Sequence, residues 1–340
     1  MSTTAEPESG AVPIPQELIS LLDSWRRPLV VGHVRPDADC LGSLFAVSAL
    51  WPATGGPAAV SLPDGSLSRR LAFLADWADA PAAQAQDFAD ADGFVILDTA
   101  GESRCNVDRS LGDDWRRGRP LINIDHHTSN TNFGTVNWVD PGAGSTCELV
   151  YRLIRAAGRP ITPLVASVLY AGLHSDTVGF SLPSTTSSAL HAAADLIDCG
   201  ARVAQIGEHL CRSQSQPEFA LNRVIYANTR IVADGRVAYS TASFEEISGA
   251  QCTLADIDEQ VAIPRSLRGI KIAILLTEGK KGRTRLNIRG ESDVDVLDLA
   301  VRFGGGGHPQ AAGAILDATI EEAVQRVIPQ AIEHLDGKHD

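Results

Sequence analysis

Three short runs in the first half of the chain are almost continuously apolar: LVVGH (29–33), FVILDT (94–99) and LINIDHH (121–127). A weaker fourth, AAVSLP, covers 58–63. Around them the sequence takes helix-compatible spacing, which predicts helices over 39–50, 66–79, 144–157, 163–175 and 186–198. Short strands without polar alternation, separated by helices, are the pattern of a parallel sheet covered on both faces. The expected fold of this half is α/β, doubly wound and mainly parallel.

The pattern changes at CGARVAQIGEHLCRSQSQPEFA (199–220), which is polar, interrupted and contains Pro. Beyond it come the alternating segments RIVADGRVAYSTASF and GIKIAILLTEGKKGRTRLNIRG, with hairpin-like turns at ADGR and EGKKGR. A helix, DVLDLAVRF, then meets GGGG. This half reads as a smaller α+β domain. The expected organisation is a disordered lead over 1–17, an α/β domain over 18–198, a linker over 199–222 and the second domain over 223–336.

Composition narrows the class. The chain has 340 residues and is 44% hydrophobic, ample for two cores. No apolar run approaches the roughly 18 residues of a membrane span. The start, MSTTAEPESGAVPIPQ, has neither the basic nor the apolar part of a secretory signal. The six Cys are scattered without CxxC spacing, as expected of reduced thiols in a cytoplasmic protein. A net charge of −13 suits long nucleic acid poorly, but it leaves room for a small anionic substrate where a metal ion or a local basic patch reverses the field.

The strands share one property. The first ends at His33, with Asp37 and Asp39 close behind; the second ends at Asp98; the third ends at Asp125, His126 and His127. All three clusters fall at carboxyl ends of parallel strands, where open α/β sheets build their sites. The helix PLVASVLYAGLHSD adds Asp176. Taken singly these residues are ordinary: Asp37 or Asp39 reads as a helix N-cap, and Asp98 as a turn former. Caps do not require three strand ends to finish in Asp or His. Several carboxylates in one cleft repel unless a cation neutralises them. Carboxylates with imidazole suit a hard or borderline divalent ion, Mn²⁺ before Mg²⁺ or Fe²⁺. The donors are too many for one ion with open positions. Two ions about 3.5–4 Å apart would use them all and clamp a phosphoryl group.

The motifs HVRPDAD, ILDTA, NIDHH and YAGLHSDT resemble, in order and spacing, those of the DHH phosphoesterases, and FGGGGHPQAAGA resembles the glycine-rich signature of the DHH-associated C-terminal domain. The resemblance implies that His33 and Asp37 hold one Mn²⁺, that Asp39, His126 and Asp176 hold a second, and that Asp98 bridges them. Mg²⁺ or another divalent ion is the alternative. It further implies that His127 lies against the substrate phosphate, that Asp125 orients the histidines, that Arg289 grips the substrate, and that Gly304, Gly305, Gly306, Gly307 and His308 contact the nucleotide. From Pro264 to Arg289 eight Lys or Arg stand against one acid, Glu278. This chain departs from the family at TVGF, where TGGF is usual after Asp176, at Ser181 in place of an Arg, and at Arg289–Gly290 in place of Arg–Ser.

Two domains of this size resemble the nano-RNase/pAp phosphatase branch. That branch implies hydrolysis of short oligoribonucleotides (nanoRNA), 3′-phosphoadenosine 5′-phosphate (pAp), pApA or cyclic di-AMP. A homodimer is compatible with the resemblance, while the charge and composition above give the expectation of no long duplex nucleic acid, no membrane and a cytoplasmic location. The alternatives are a nucleotide-binding regulator without catalysis, whose mark would be a lost ligand, and a pyrophosphatase-like hydrolase, which would not need the GGGGH element.

Overall fold

The computed structural model describes residues 11–51, 56–62, 67, 70–78, 80–107, 112, 115–212, 214–253, 257, 260–291 and 293–337, without the side chain of His308. Parts of several expectations lie outside the described residues: 1–10 of the lead, position 63 of the weak strand, 66, 68, 69 and 79 of the second helix, 213 of the linker, short stretches of both domains and the side chain of His308. The chain divides into two compact units, Met1–Ser213 and Gln214–Asp340.

The first unit carries a parallel sheet of β1 (Pro28–Val31), β2 (Val60–Ser61), β3 (Gly93–Leu97), β4 (Leu121–Asp125) and β5 (Val136–Val139) in the order β2-β1-β3-β4-β5. Its helices are α1 (Gln16–Ser24), α2 (Ala38–Leu50), α3 (Ala72–Ala78), α4 (Ala85–Asp90), α5 (Thr146–Ala156), α6 (Pro163–Asp176), α7 (Ser187–Asp198) and α8 (Val203–Cys211). The core strands are buried on both sides, so alternate residues feed two cores: Val30, Val95 and Ile122 join the larger one, Leu29, Phe94 and Leu121 the smaller. The sheet is the doubly wound α/β type read from the apolar runs. From β1 the chain first adds β2 on one side, then returns to add β3 on the other. The crevice outside the carboxyl ends of β1 and β3 is thus the switch point of the sheet.

α2 and α6 cross closely because neither has a side chain at the contact. A Cβ on Gly42 would stand 2.3 Å from the Val168 carbonyl oxygen, and one on Gly172 would stand 2.9 Å from the Asp39 Cα. That crossing brings the start of α2 near the end of α6.

Two expectations change. Residues 11–17 are packed, not loose: the Val12 N–H donates to Asp140 at 3.1 Å, and its carbonyl accepts from Trp138 and Arg152. The polar stretch read as a linker holds α8, whose Ile206 and Leu210 are buried, and the start of the next helix.

The second unit is α+β. Its sheet, in the order β10-β11-β9-β8-β7-β6, holds β6 (Arg230–Val232), β7 (Val237–Ala242), β8 (Ile272–Lys280), β9 (Arg283–Gly290), β10 (Gly306–His308) and β11 (Ala311–Leu316). Only the β7–β8 pair in it is parallel. α12 (Leu297–Arg302) and α13 (Ile320–Asp336) cover one face; α9 (Gln216–Ala227), α10 (Phe244–Gly249) and α11 (Ala262–Arg265) contribute to a core on the other. Both predicted hairpin turns are present, between β6 and β7 and between β8 and β9. No helix among the described residues is long and apolar enough to cross a membrane.

Candidate metal centre

The carboxyl ends of β1, β3 and β4 deliver His33, Asp98 and Asp125–His127 to one place. Asp98 sits at the middle, 2% exposed, in a left-handed backbone conformation (φ 54°) that Asp tolerates better than most residues. Its two oxygens face different partners. Oδ2 lies 3.5 Å from His33 Nε2, while Oδ1 lies 3.7 Å from both His126 Nε2 and His127 Nδ1 and accepts from the Thr146 hydroxyl at 3.0 Å. His126 Nε2 is also 3.3 Å from Asp176 Oδ2 and 3.9 Å from Asp39 Oδ2.

Asp39 is held by a helix end. The N–H groups of Thr146 and Cys147, in the first turn of α5, donate to its two oxygens at 2.7 and 2.8 Å. These donors are otherwise unsatisfied at a helix start, and the helix dipole favours a carboxylate there. Asp37 is the N-cap of α2: one oxygen accepts from the N–H of Asp39 and Cys40 at 3.1 and 3.0 Å. The other oxygen is not used by the cap, so capping and ligation are compatible in one side chain. Asp125 is fully buried, accepts from Asn130 through Oδ2, and sets His127 by a 2.6 Å contact from Oδ1 to Nδ1.

The electrostatics are those of a site that needs a cation. Burial, and then the charges of Asp98, Asp176 and Asp37, push the Asp39 carboxyl well above its usual range. Burial, then Asp98, raises Asp37 as well. Burial lifts Asp176 to about 6. Burial would also raise Asp98, but hydrogen bonding with His33 and the charges of His126 and His127 outweigh it and leave Asp98 lowered. Bonding to Asp125 raises His127 to about 9.

Among the described residues, three donor sets have ligand atoms within 4.8 Å of one another: Asp39, His126 and Asp176; Asp98, His126 and His127; and His33, Cys40 and Asp98. Most of these separations are too long for hydrogen bonds and short enough for a shared ion. His33 Nδ1 is buried and has no hydrogen-bond partner. The residues present therefore fit a divalent-metal centre. The strand-end reading omits Cys40, Thr146, Cys147 and Asn130. The Ser145-x-x-Glu148 cap pattern marks the start of α5, though not what it holds.

In the second unit Arg289 lies on β9, on the same face as Arg283, Arg285 and Asn287. Part of the basic excess is neutralised: Arg265 pairs with Glu291, Lys271 with Asp293 and Lys281 with Glu245. The glycine run divides into two kinds of position. A Cβ on Gly305 would stand 2.1 Å from the Gly313 carbonyl oxygen, and one on Gly307 2.5 Å from that of Ala311, so both serve the packing of β10 on β11. Nothing stands within 4 Å of the Cβ positions of Gly304 and Gly306.

Residues 27–173 match the DHH family, N-terminal domain, and residues 234–336 match the DHHA1 domain. The chain belongs to the DHH family. It is 28% identical over 313 residues to the bifunctional oligoribonuclease and PAP phosphatase NrnA of Thermus thermophilus, covering 90% of this chain and 89% of that one. It is 26% identical over 304 residues to the protein of the same name from Bacillus subtilis, covering 88% and 92%. The crystal structure of an exopolyphosphatase-related protein from Bacteroides fragilis matches with a TM-score of 0.84 at 25% identity, over 94% of this chain and 96% of that one.

Proposed function

We propose that this chain is a metal-dependent phosphoric ester hydrolase that cleaves short oligoribonucleotides and small nucleotides such as pAp, pApA or cyclic di-AMP with two divalent ions, Mn²⁺ first. The observation that carries this reading is the placement of Asp98, with one oxygen toward His33 and the other toward His126 and His127. A carboxylate so placed suits a bridge. His33 and Asp37 would hold one ion; Asp39, His126 and Asp176 would hold the other. The relatives named as oligoribonuclease and PAP phosphatase supply the substrate class.

The bound ions would supply charge neutralisation and a nucleophilic water for in-line displacement at phosphorus. The chain's own residues do the rest. The α5 N-terminus fixes Asp39. Asp125 orients the His127 ring and favours its protonated form, so that it would donate a hydrogen bond to a phosphoryl oxygen as its charge grows. In the second unit, Arg289 and His308 would grip the nucleotide.

The test is hydrolysis by the purified protein with Mn²⁺ and with EDTA, using a ribodinucleotide, pAp, pApA, cyclic di-AMP and pyrophosphate, with products separated by chromatography. Cleavage of at least one nucleotide is expected only with the ion present, and Asp98→Ala should reduce it by about 10³-fold or more. Cleavage of pyrophosphate alone would overturn the reading, as would near-normal turnover by the Asp98→Ala variant.

A further inference from the structure

One donor at the centre lies outside the carboxylate and imidazole set. Cys40, in the first turn of α2, is fully buried. Its Sγ lies within 4.8 Å of ligand atoms of His33 and Asp98, both also buried. The thiol is seated at the end of β1: a Cβ on Gly32, the residue before His33, would stand 2.4 Å from it. Beside it, His33 is 5% exposed and its Nδ1 has no hydrogen-bond partner. Cys147 differs. Its Sγ lies 3.4 Å from the Asp39 carbonyl oxygen and fills the space left by Gly42 and Gly172, the place of a packing residue.

We propose, building on the metal-centre reading above, that Cys40 belongs to the donor set of His33 and Asp98 and raises the affinity of that half of the centre for thiophilic divalent ions such as Zn²⁺ and Co²⁺ above what its carboxylates and imidazole alone would give. On binding, the S–H bond yields its proton to solvent and a sulfur–metal bond forms; no electrons are transferred. Oxygen and imidazole donors alone leave Mn²⁺ competitive, whereas a thiolate selects the softer ions.

Cobalt reads this directly. The full-length metal-free protein is loaded with Co²⁺, bound cobalt is counted, and the visible d–d bands report occupancy. A near-ultraviolet sulfur-to-cobalt charge-transfer band is expected in the wild type and in Cys147→Ala. It should vanish in Cys40→Ala and Cys40→Ser while the d–d bands remain. Far-ultraviolet circular dichroism checks that each variant is folded, and the Ser variant keeps the polar volume if the Ala variant is not. The Zn²⁺-to-Mn²⁺ affinity ratio should fall about tenfold or more in the Cys40 variants. Cobalt bound to the wild type without the charge-transfer band overturns the proposal, as does a band that survives in both Cys40 variants. Absence of bound cobalt in the wild type sinks the metal-centre reading itself, and this proposal with it.

Discussion

Asp125 Oδ1 stands 2.6 Å from His127 Nδ1, and that contact does more to set the charge of the centre than any other interaction of this imidazole. It raises His127 from 6.5 to about 9. The folded protein then binds this proton more tightly than the unfolded chain does. The resulting stability is fully present below about pH 6.5 and is lost as pH rises through about 9. In the metal-free protein, a histidine NMR titration should place His127 near the upper value. In Asp125→Asn the midpoint should fall back toward the ordinary range, and the decline of stability between the two pH values should flatten. An unchanged midpoint in the variant would remove Asp125 from this role.

Asp176 gives a slope of the same sign in a lower pH window, although here burial disfavours the charged form rather than a partner favouring it. Its carboxyl is raised from 3.8 to about 6, chiefly by burial. Between those values the folded metal-free protein holds more protons than the unfolded chain, so this group lowers stability as pH rises through the window. A divalent ion must displace the same proton. Calorimetric titration with Mn²⁺ should therefore show an apparent affinity at least about tenfold weaker at pH 5 than at pH 7: tenfold is the share of this one competing proton, and the raised carboxyls of Asp39 and Asp37 add to it. Asp176→Asn should bind more weakly at both values and lose this residue's share of the difference.

Much of this centre is readable in one dimension because each strand carries its donors at its own end. His33, Asp98 and Asp125–His127 lie within two residues of β1, β3 and β4, and apolar runs mark buried strands well. β5 escapes such a reading because it is a four-residue edge strand, half buried along its length, with too little sequence to set a period. α8 escapes it because its buried side is narrow, resting on Ile206 and Leu210 amid polar neighbours. The grip on Asp39 is unreadable for another reason: its donors are backbone N–H groups of Thr146 and Cys147, more than a hundred residues away. Backbone donors leave no mark in residue identity, and their arrival depends on how α2 and α5 pack. Cys40 directly follows the first motif, but only the seating of its Sγ beside His33 and Asp98 shows it as a donor.

The family departure at TVGF has a conformational consequence. Val178 has φ 49°, and Gly179 and Phe180 follow it in the left-handed region, just past Asp176. A β-branched residue there is strained, by about 1–2 kcal/mol. Val178 is 61% exposed, so little burial compensates. Glycine would relieve the strain but adds about 0.5–1 kcal/mol of unfolded-state entropy cost. Val178→Gly should therefore stabilise the protein by about 0.5–1 kcal/mol in chemical denaturation. Val178→Ala, which keeps a Cβ, should gain less. A loss of stability in the Gly variant would show that Val178 makes contacts worth more than its backbone strain.

The glycine run after α12 allows structure and ligand contact to be separated residue by residue. A Cβ on Gly305 or Gly307 would collide with β11 backbone at 2.1 and 2.5 Å, and Gly307 also has φ 142°. Backbone cannot yield as a flexible side chain does, so Gly305→Ala and Gly307→Ala should each destabilise the second unit by about 2 kcal/mol or more. Gly306 has open space where its Cβ would be and φ outside the left-handed region, so Gly306→Ala should fold with nearly unchanged stability. If the run also touches the nucleotide, this variant should raise KM for a ribodinucleotide several-fold while kcat stays within about twofold, because a uniform binding contact is lost. Melting curves and initial rates on the same three proteins decide it. A Gly306→Ala protein with normal KM would remove Gly306 from substrate contact and return recognition on this side to Arg289 and its neighbours on β9.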